Sequence, residues 1–235
     1  MWSSVVDGQV LTFRLMGVNN QNFIMRDEQT GTWWQQVTGE ALVGPLAGKR
    51  LSPVRFDEVS YAIWSGEHPE TLVLEPVPGK VDQYAADDWD ESMDVPVPEQ
   101  LAPPGEWEAR RLVVGILADG VAKAYPMDVL GEQTPVADWV GDTPVLIALA
   151  ADGRSIRAFD RRIDEMVLEM YAKTDVDPPV FIDAQTGSEW NFAGLATAGP
   201  LLGRRLESVR PLKDYWFDWK QYHPDTRVYT AGGVR

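Results

Sequence analysis

Asp27-Glu-Gln-Thr-Gly-Thr-Trp-Trp34 recurs later in the chain as Asp183-Ala-Gln-Thr-Gly-Ser-Glu-Trp190. Working outward, Gly44-Pro-Leu-Ala-Gly-Lys-Arg-Leu51 returns as Gly199-Pro-Leu-Leu-Gly-Arg-Arg-Leu206. Trp64, His68, Pro69 and Thr71 return as Trp219, His223, Pro224 and Thr226. The offset is 156 residues in the first block and 155 afterwards. Chance does not hold a register through so many matched Trp, Gly and Pro, so the reading is an internal repeat.

The runs between these landmarks are short, β-rich and bounded by Gly, Asp and Pro: Val10-Leu11-Thr12-Phe13-Arg14-Leu15, Phe23-Ile24-Met25, Leu112 to Leu117, Pro144 to Leu149 and Val180-Phe181-Ile182. Each copy adds one short helix. Phe56, Val59, Ile63 and Trp64 form the first apolar stripe, with Asp57 and Glu58 at the positive helix end. Pro211 opens the second, followed by Leu212, Tyr215, Trp216 and Trp219. Both end at His-Pro and return as strands, Leu72-Val73-Leu74 and Arg227-Val228-Tyr229. The expected class is mainly β (α+β at the margin): two homologous β-rich copies, each with one short helix, packed as one pseudo-symmetric unit.

The expected division is 1–74 for the first copy, 75–108 for a linker and 109–235 for the second, fuller copy. The linker has ten acids, one lysine (Lys80) and six prolines, with Tyr84 and Trp89 as its aromatic anchors. Val6-Asp7-Gly8-Gln9 and Ala151-Asp152-Gly153-Arg154 read as equivalent two-residue hairpin tips. On that alignment some forty residues precede the second tip within its copy and six precede the first, so the first copy reads as cut short with an exposed strand edge.

Composition excludes several classes. With 36 acids against 21 bases the formal charge is −15, which repels nucleic acid and anionic lipid. Zero cysteines remove thiol nucleophiles, disulfides and cysteine metal sites. No apolar run reaches the roughly 18 to 20 residues of a membrane span, and Met1-Trp2-Ser3-Ser4 does not begin a signal peptide. Phosphate loops, nucleophile elbows and calcium loops are missing as well.

Among candidate site residues, His68 and His223 share one position, a helix exit before Pro, which favours a structural capping role. Trp34 recurs and reads as core, whereas Trp33 is replaced by Glu189 and stays open as a ligand contact. Gln36 is matched by Phe192, and the region of Glu40 by Leu195-Ala196-Thr197. Polar groups kept by one copy only mark the better site, so the expected ligand face carries Arg14, Asn22, Trp33, Gln36 and Glu40. An Arg14–Glu40 ion pair is its structural alternative. Asp160, Arg161, Arg162, Asp164 and Glu165 read as a solvated charge face.

Phe13-Arg14-Leu15-Met16-Gly17, the Asp27 to Trp34 block, Gln36, Thr38-Gly39-Glu40-Ala41, Gly44 to Gly48 and His68-Pro69 together resemble the bacterial domain-of-unknown-function (DUF) family 3179. Val113-Val114-Gly115-Ile116, Ala122-Lys123-Ala124-Tyr125-Pro126, Asp138 and Asp160-Arg161 extend the resemblance through the second half. It implies a protein often exported or membrane-tethered, with a Cys-x-x-Cys-like redox or metal motif just upstream of the first copy. Here Ala148-Leu149-Ala150-Ala151 occupies the corresponding region of the second copy, and Gly131 stands where a His-Glu pair would bring its His. Three readings follow. The first is a fragment of a redox- or metal-associated protein. The second is a non-catalytic module binding a small polar ligand on a Trp-rich face, and the third is a glycosidase-like hydrolase using Glu40. The chain as given is not expected to be an enzyme by itself, and no cofactor is assigned.

Overall fold

A computed structural model describes residues 1–19, 22–84, 86, 96–105, 107–174 and 180–231. The fold is mainly β, with three seven-residue α-helices among the described residues: α1 (Tyr61–Glu67), α2 (Met127–Gln133) and α3 (Trp216–Tyr222). No helix of the described residues is long and apolar enough to cross a membrane.

The strand Thr143–Leu149 organises the molecule, and six of its seven residues are buried. Alternate side chains serve opposite faces. Leu146 and Ala148 join a core with Phe159, Phe181, Trp190 and Phe192, while Val145, Ile147 and Leu149 join another with Val114, Ile116, Tyr125 and Leu130. This strand lies inside an antiparallel sheet with Val136–Val140 on one side and Ile156–Asp160, then Glu207–Val209, on the other. One face is covered by a meander of Met170–Ala172, Val180–Asp183, Glu189–Asn191 and Ala196–Ala198. The other is covered by a sheet in the order Pro211–Tyr215, Leu112–Ala118, Val121–Pro126, Arg227–Val228, the last pair being parallel. That third sheet is itself covered on its far side by α3 through Val113, Ala124, Trp216 and Trp219.

The N-terminal residues form a second meander, Phe13–Asn19, Asn22–Asp27, Trp33–Gln35 and Ala41–Val43, over a small core of Val6, Leu11, Trp34, Ala41 and Leu51. In both meanders a buried tryptophan is tied to a buried aspartate. Trp34 Nε1 donates to Asp27 at 2.8 Å, and Trp190 Nε1 to Asp183 at 2.9 Å. Each carboxylate also accepts an amide and a hydroxyl, from Thr30 or Thr186. For Asp27, burial pushes the carboxyl up, but the bonds from Trp34 and Thr30 outweigh it and hold the carboxyl below its ordinary value.

The helices attach crosswise. Val59 and Ile63 pack against the core of the C-terminal meander, and Arg157 grips both Asp57 and Glu67, at 2.6 Å to each. In return α3 bonds the N-terminal meander. Asn22 Nδ2 donates to Asp218 at 2.5 Å, and Gln35 Nε2 to the Tyr222 hydroxyl at 2.9 Å.

Several local expectations need correction. Pro211 does not open a helix; Pro211–Tyr215 is a strand paired with Leu112–Ile116, and helix begins only at Trp216. The Trp216 and Phe217 amides, which a helix start leaves unpaired, donate to the carbonyls of Arg111 and Ala109. Likewise α1 starts at Tyr61, because Glu58 is held as an extended bridge to Ile156. Leu72-Val73-Leu74 is not a strand, and Leu72 and Leu74 are 95% and 96% exposed. Arg227–Val228 has a strand to pair with, and 72–74 does not.

Asp152-Gly153 is not a two-residue tip either. Residues 150–155 form a longer loop in which the Asp152 carboxylate accepts from the Arg154 and Ser155 amides and the Ser155 hydroxyl. The tight hairpin like that at Asp7-Gly8 is Asp164-Glu165, between Arg162–Ile163 and Met166–Val167, with Asp7 and Asp164 at φ 50° and 53°. Arg161 is buried, not on a charge face, and Nη1 donates to the Leu168 carbonyl. The acidic island at 87–91, with Trp89, lies outside the described residues; Tyr84 is exposed, its hydroxyl accepting the Val77 amide.

Asp183→Ala strands a buried indole N–H, an amide and a hydroxyl at once. At about 1–3 kcal/mol for each unsatisfied group, the loss of unfolding free energy by urea titration is expected to be about 3 kcal/mol or more. An unchanged midpoint contradicts the assignment of this carboxylate as an anchor.

Candidate functional site

The five residues expected to form a ligand face are distributed. Arg14 pairs with Glu28 at 2.5 Å, and Glu40 lies 3.7 Å from Arg50, so no Arg14–Glu40 pair forms. Asn22 is engaged by Asp218. Trp33 and Gln36 are exposed, and Gln36 contributes its backbone carbonyl to Trp2 Nε1 at 2.6 Å. None of the five lines the cavities described below.

The structure brings together a different set where the N-terminal meander meets α3 and the third sheet. A cavity of about 300 Å³ is walled by Trp2, Val37, Pro53, Leu117, Leu212 and Trp219, with Arg50, Arg210, Thr38 and His223 as its polar groups. Two glycines make room for the indoles. Gly39, at φ +70°, would direct a Cβ to 2.8 Å from the Trp2 ring, and a Cβ on Gly115 would lie 2.1 Å from Trp219.

The two histidines do cap helices, but through their backbone. The His68 and His223 amides donate to the Trp64 and Trp219 carbonyls. Their imidazoles instead lie tilted on those indoles, with centroids 4.1 and 4.0 Å apart. Each indole donates to a threonine, Trp64 to Thr71 and Trp219 to Thr226, at 2.8 Å in both cases. Burial lowers the His223 pKa, so near neutrality its ring is uncharged.

Charge is the feature of this cavity. No Asp or Glu lines it. Arg210 stacks its guanidinium over Trp2 at 4.5 Å and Phe56 at 5.5 Å, and its buried Nε has no hydrogen-bond partner. Among the described residues it forms no ion pair, and burial lowers its pKa, which marks a cation kept from full solvation. A second cavity, about 430 Å³, carries residues 155 positions earlier in sequence, including Arg55 and His68. There Arg55 is paired with Glu207, and the acids Asp57 and Glu67 line the cavity in ion pairs with Arg157. The first cavity instead has Arg210 in its wall, with no ion pair among the described residues. Among the described residues no group of three or more His, Asp or Glu side chains is gathered as metal ligands would be.

Behind the cavity, Asp214 and Asp218 share a hydrogen bond. Burial, then the Asp218 charge, pushes Asp214 up to about 8, and burial also raises Asp218 against the bond from Asn22. The pair therefore carries a proton at neutral pH, and Asp218 keeps α3 joined to the N-terminal meander.

Fold and site together define a mainly β protein with a cationic, indole-walled cavity between its two meander-bearing halves. The chain belongs to DUF3179, a family of proteins of unknown function whose model matches residues 1–226. No curated protein and no solved structure matches it.

Arg210, Trp2 and Gly115 carried no sequence signal of a site, since nothing in a sequence tells which arginine lacks a carboxylate. The Asp214 pair gives a pH test. Its folded pKa lies above the ordinary value of 3.8, so its contribution is complete below about pH 4 and is lost as pH rises toward 8. Asp214→Asn is expected to flatten the fall of the urea midpoint over that range and to gain on the order of 2 kcal/mol at pH 8. Parallel profiles for the two proteins contradict the shared proton.

Proposed function

We propose that this chain is a non-catalytic binding module for a small ligand with an anionic head and an apolar body, held in the cavity between Trp2, Trp219 and Arg210. The observation that carries the reading is the Arg210 guanidinium, which is partly buried, stacked on Trp2 and without a carboxylate partner among the described residues, in a protein of net charge −15. An uncompensated cation in an apolar wall costs free energy, and an anionic ligand that hydrogen-bonds to it offsets that cost. Arg50, also in the wall, is already paired with Glu40, which leaves Arg210 as the cation for the head, and indole faces suit an aromatic or aliphatic body. A binding module is one of the three readings of the sequence, there for a small polar ligand on the Trp33 face; the cavity favours an amphipathic anion instead.

The module is built, in this reading, from two copies, 1–74 and 109–235, joined by the linker 75–108 and arranged with pseudo-symmetry. Support comes from the paired Asp–Trp bonds, the paired Trp–Thr bonds and the crosswise helices. Of the two cavities between the copies, one has its acids neutralised by Arg157, and the other is kept for a ligand. The alternative as a redox- or metal-associated fragment rests on a cysteine motif that these residues do not contain, and the hydrolase alternative on Glu40, whose carboxylate faces Arg50.

Phenylacetate serves as the probe, with benzyl alcohol as its uncharged analogue and tryptophan fluorescence as the readout. Saturable quenching by phenylacetate is expected, weakened about tenfold or more, ~1.4 kcal/mol, in Arg210→Gln and for benzyl alcohol. Arg14→Gln is expected to bind as the parent does. Absence of saturable quenching at millimolar phenylacetate, or equal binding in Arg210→Gln, overturns the reading.

A further inference from the structure

A separate cavity of about 850 Å³ opens where the Val136–Val140 strand meets the Val121–Pro126 and Arg227–Val228 strands. Lys123 and Tyr125 stand two apart on one strand and so share a face. Both reach Asp138 on the neighbouring sheet: Lys123 Nζ lies 2.5 Å from Asp138 Oδ2, and the Tyr125 hydroxyl donates to the same oxygen at 2.8 Å. Among the ion pairs of the described residues, this is the one with both partners under one-fifth exposed, 17% and 16%. Burying such a pair stabilises a fold little, because desolvation cancels most of the attraction. Its position in a cavity wall therefore points to recognition.

The unused valences specify what is recognised. Asp138 Oδ1 accepts no hydrogen bond among the described residues, and an ammonium carries two further N–H donors. Tyr125 and Tyr229 stack beside them at 5.2 Å, with Lys123 Nζ 5.8 Å from both rings. Burial and the Asp138 charge raise the Tyr125 pKa, so its hydroxyl stays a neutral donor to Asp138. A carboxylate oxygen and an ammonium side by side match adjacent hydroxyl groups, each of which donates and accepts. A bare anion meets repulsion from Asp138 instead. Arg227, at the mouth, is exposed and forms no ion pair among the described residues, which supplies a cation for an acidic substituent.

We infer that Lys123, Asp138 and Arg227 form a site for a polyhydroxylated carboxylate of the sugar-acid class. Lys123 and Asp138 hold neighbouring hydroxyls, and Arg227 holds the carboxylate. This site is distinct from the Arg210 cavity and does not depend on it.

Titration calorimetry with galacturonate, galactose and sulfate on the full chain separates the contributions. Galacturonate is expected to bind about tenfold or more tightly than galactose, and sulfate not to bind. Arg227→Gln, an exposed change that leaves the fold intact, is expected to bring galacturonate down to the level of galactose. Lys123→Met and Asp138→Asn are expected to weaken both sugars about tenfold or more, with circular dichroism reporting that each variant is folded. The inference is overturned if neither sugar binds the parent at millimolar concentration. It is also overturned if sulfate competes with galacturonate, or if Arg227→Gln leaves the preference for galacturonate unchanged.

Discussion

The contact between Gly115 and Trp219 is the constraint from which the functional geometry follows. The indole lies on the strand where any Cβ would stand 2.1 Å from it, so α3 sits closer to the third sheet than ordinary side chains permit. Seated there, α3 directs Asp218 to Asn22 and Tyr222 to Gln35, and thereby draws the N-terminal meander against the rest of the molecule. The Arg210 cavity is the space left between them, with Trp219 as one wall and Trp2 as another. A larger residue at 115 shifts the helix, and with it every group on the cavity's inner side. Overpacking of this kind costs typically 1–3 kcal/mol.

The energetic logic is that polar groups at the meeting of the halves are satisfied, with one exception. Arg157 finds Asp57 and Glu67, and Asn22 finds Asp218. Asp214 and Asp218 share a proton, so that two buried carboxyls need not carry two charges. Among the described residues, Arg210 is the cavity cation whose buried Nε has no partner.

Much of the framework was legible in the sequence. Trp34 reads as core because it recurs as Trp190, and the structure adds the reason: an aspartate seven residues earlier accepts from each indole. The run Pro144 to Leu149 read as a strand from its apolar β-rich composition, and the strand spans Thr143–Leu149. The helix starts were not legible, because Leu212, Tyr215, Trp216 and Trp219 fit a helical stripe that runs back into the Pro211–Tyr215 strand. What decides between them is distant: the Arg111 and Ala109 carbonyls that receive the Trp216 and Phe217 amides. Asp164-Glu165 lacks the glycine that announces a hairpin, while Asp152-Gly153 has it and uses its carboxylate to fold a longer loop. The site was hidden for the same reason. Its residues come from positions as far apart as Trp2 and His223, and the absence of a partner for Arg210 is a property of three dimensions.

The most direct measurement follows the side chain itself. In a nitrogen-edited spectrum, the Arg210 Nε–H and the indole N–H groups of Trp2 and Trp219 can be assigned and observed while phenylacetate is added. The account predicts that all three resonances shift together along one saturable curve, with the Arg210 Nε–H moving as a new hydrogen bond forms. An Arg210 resonance that stays fixed while probe binding perturbs other parts of the protein contradicts it.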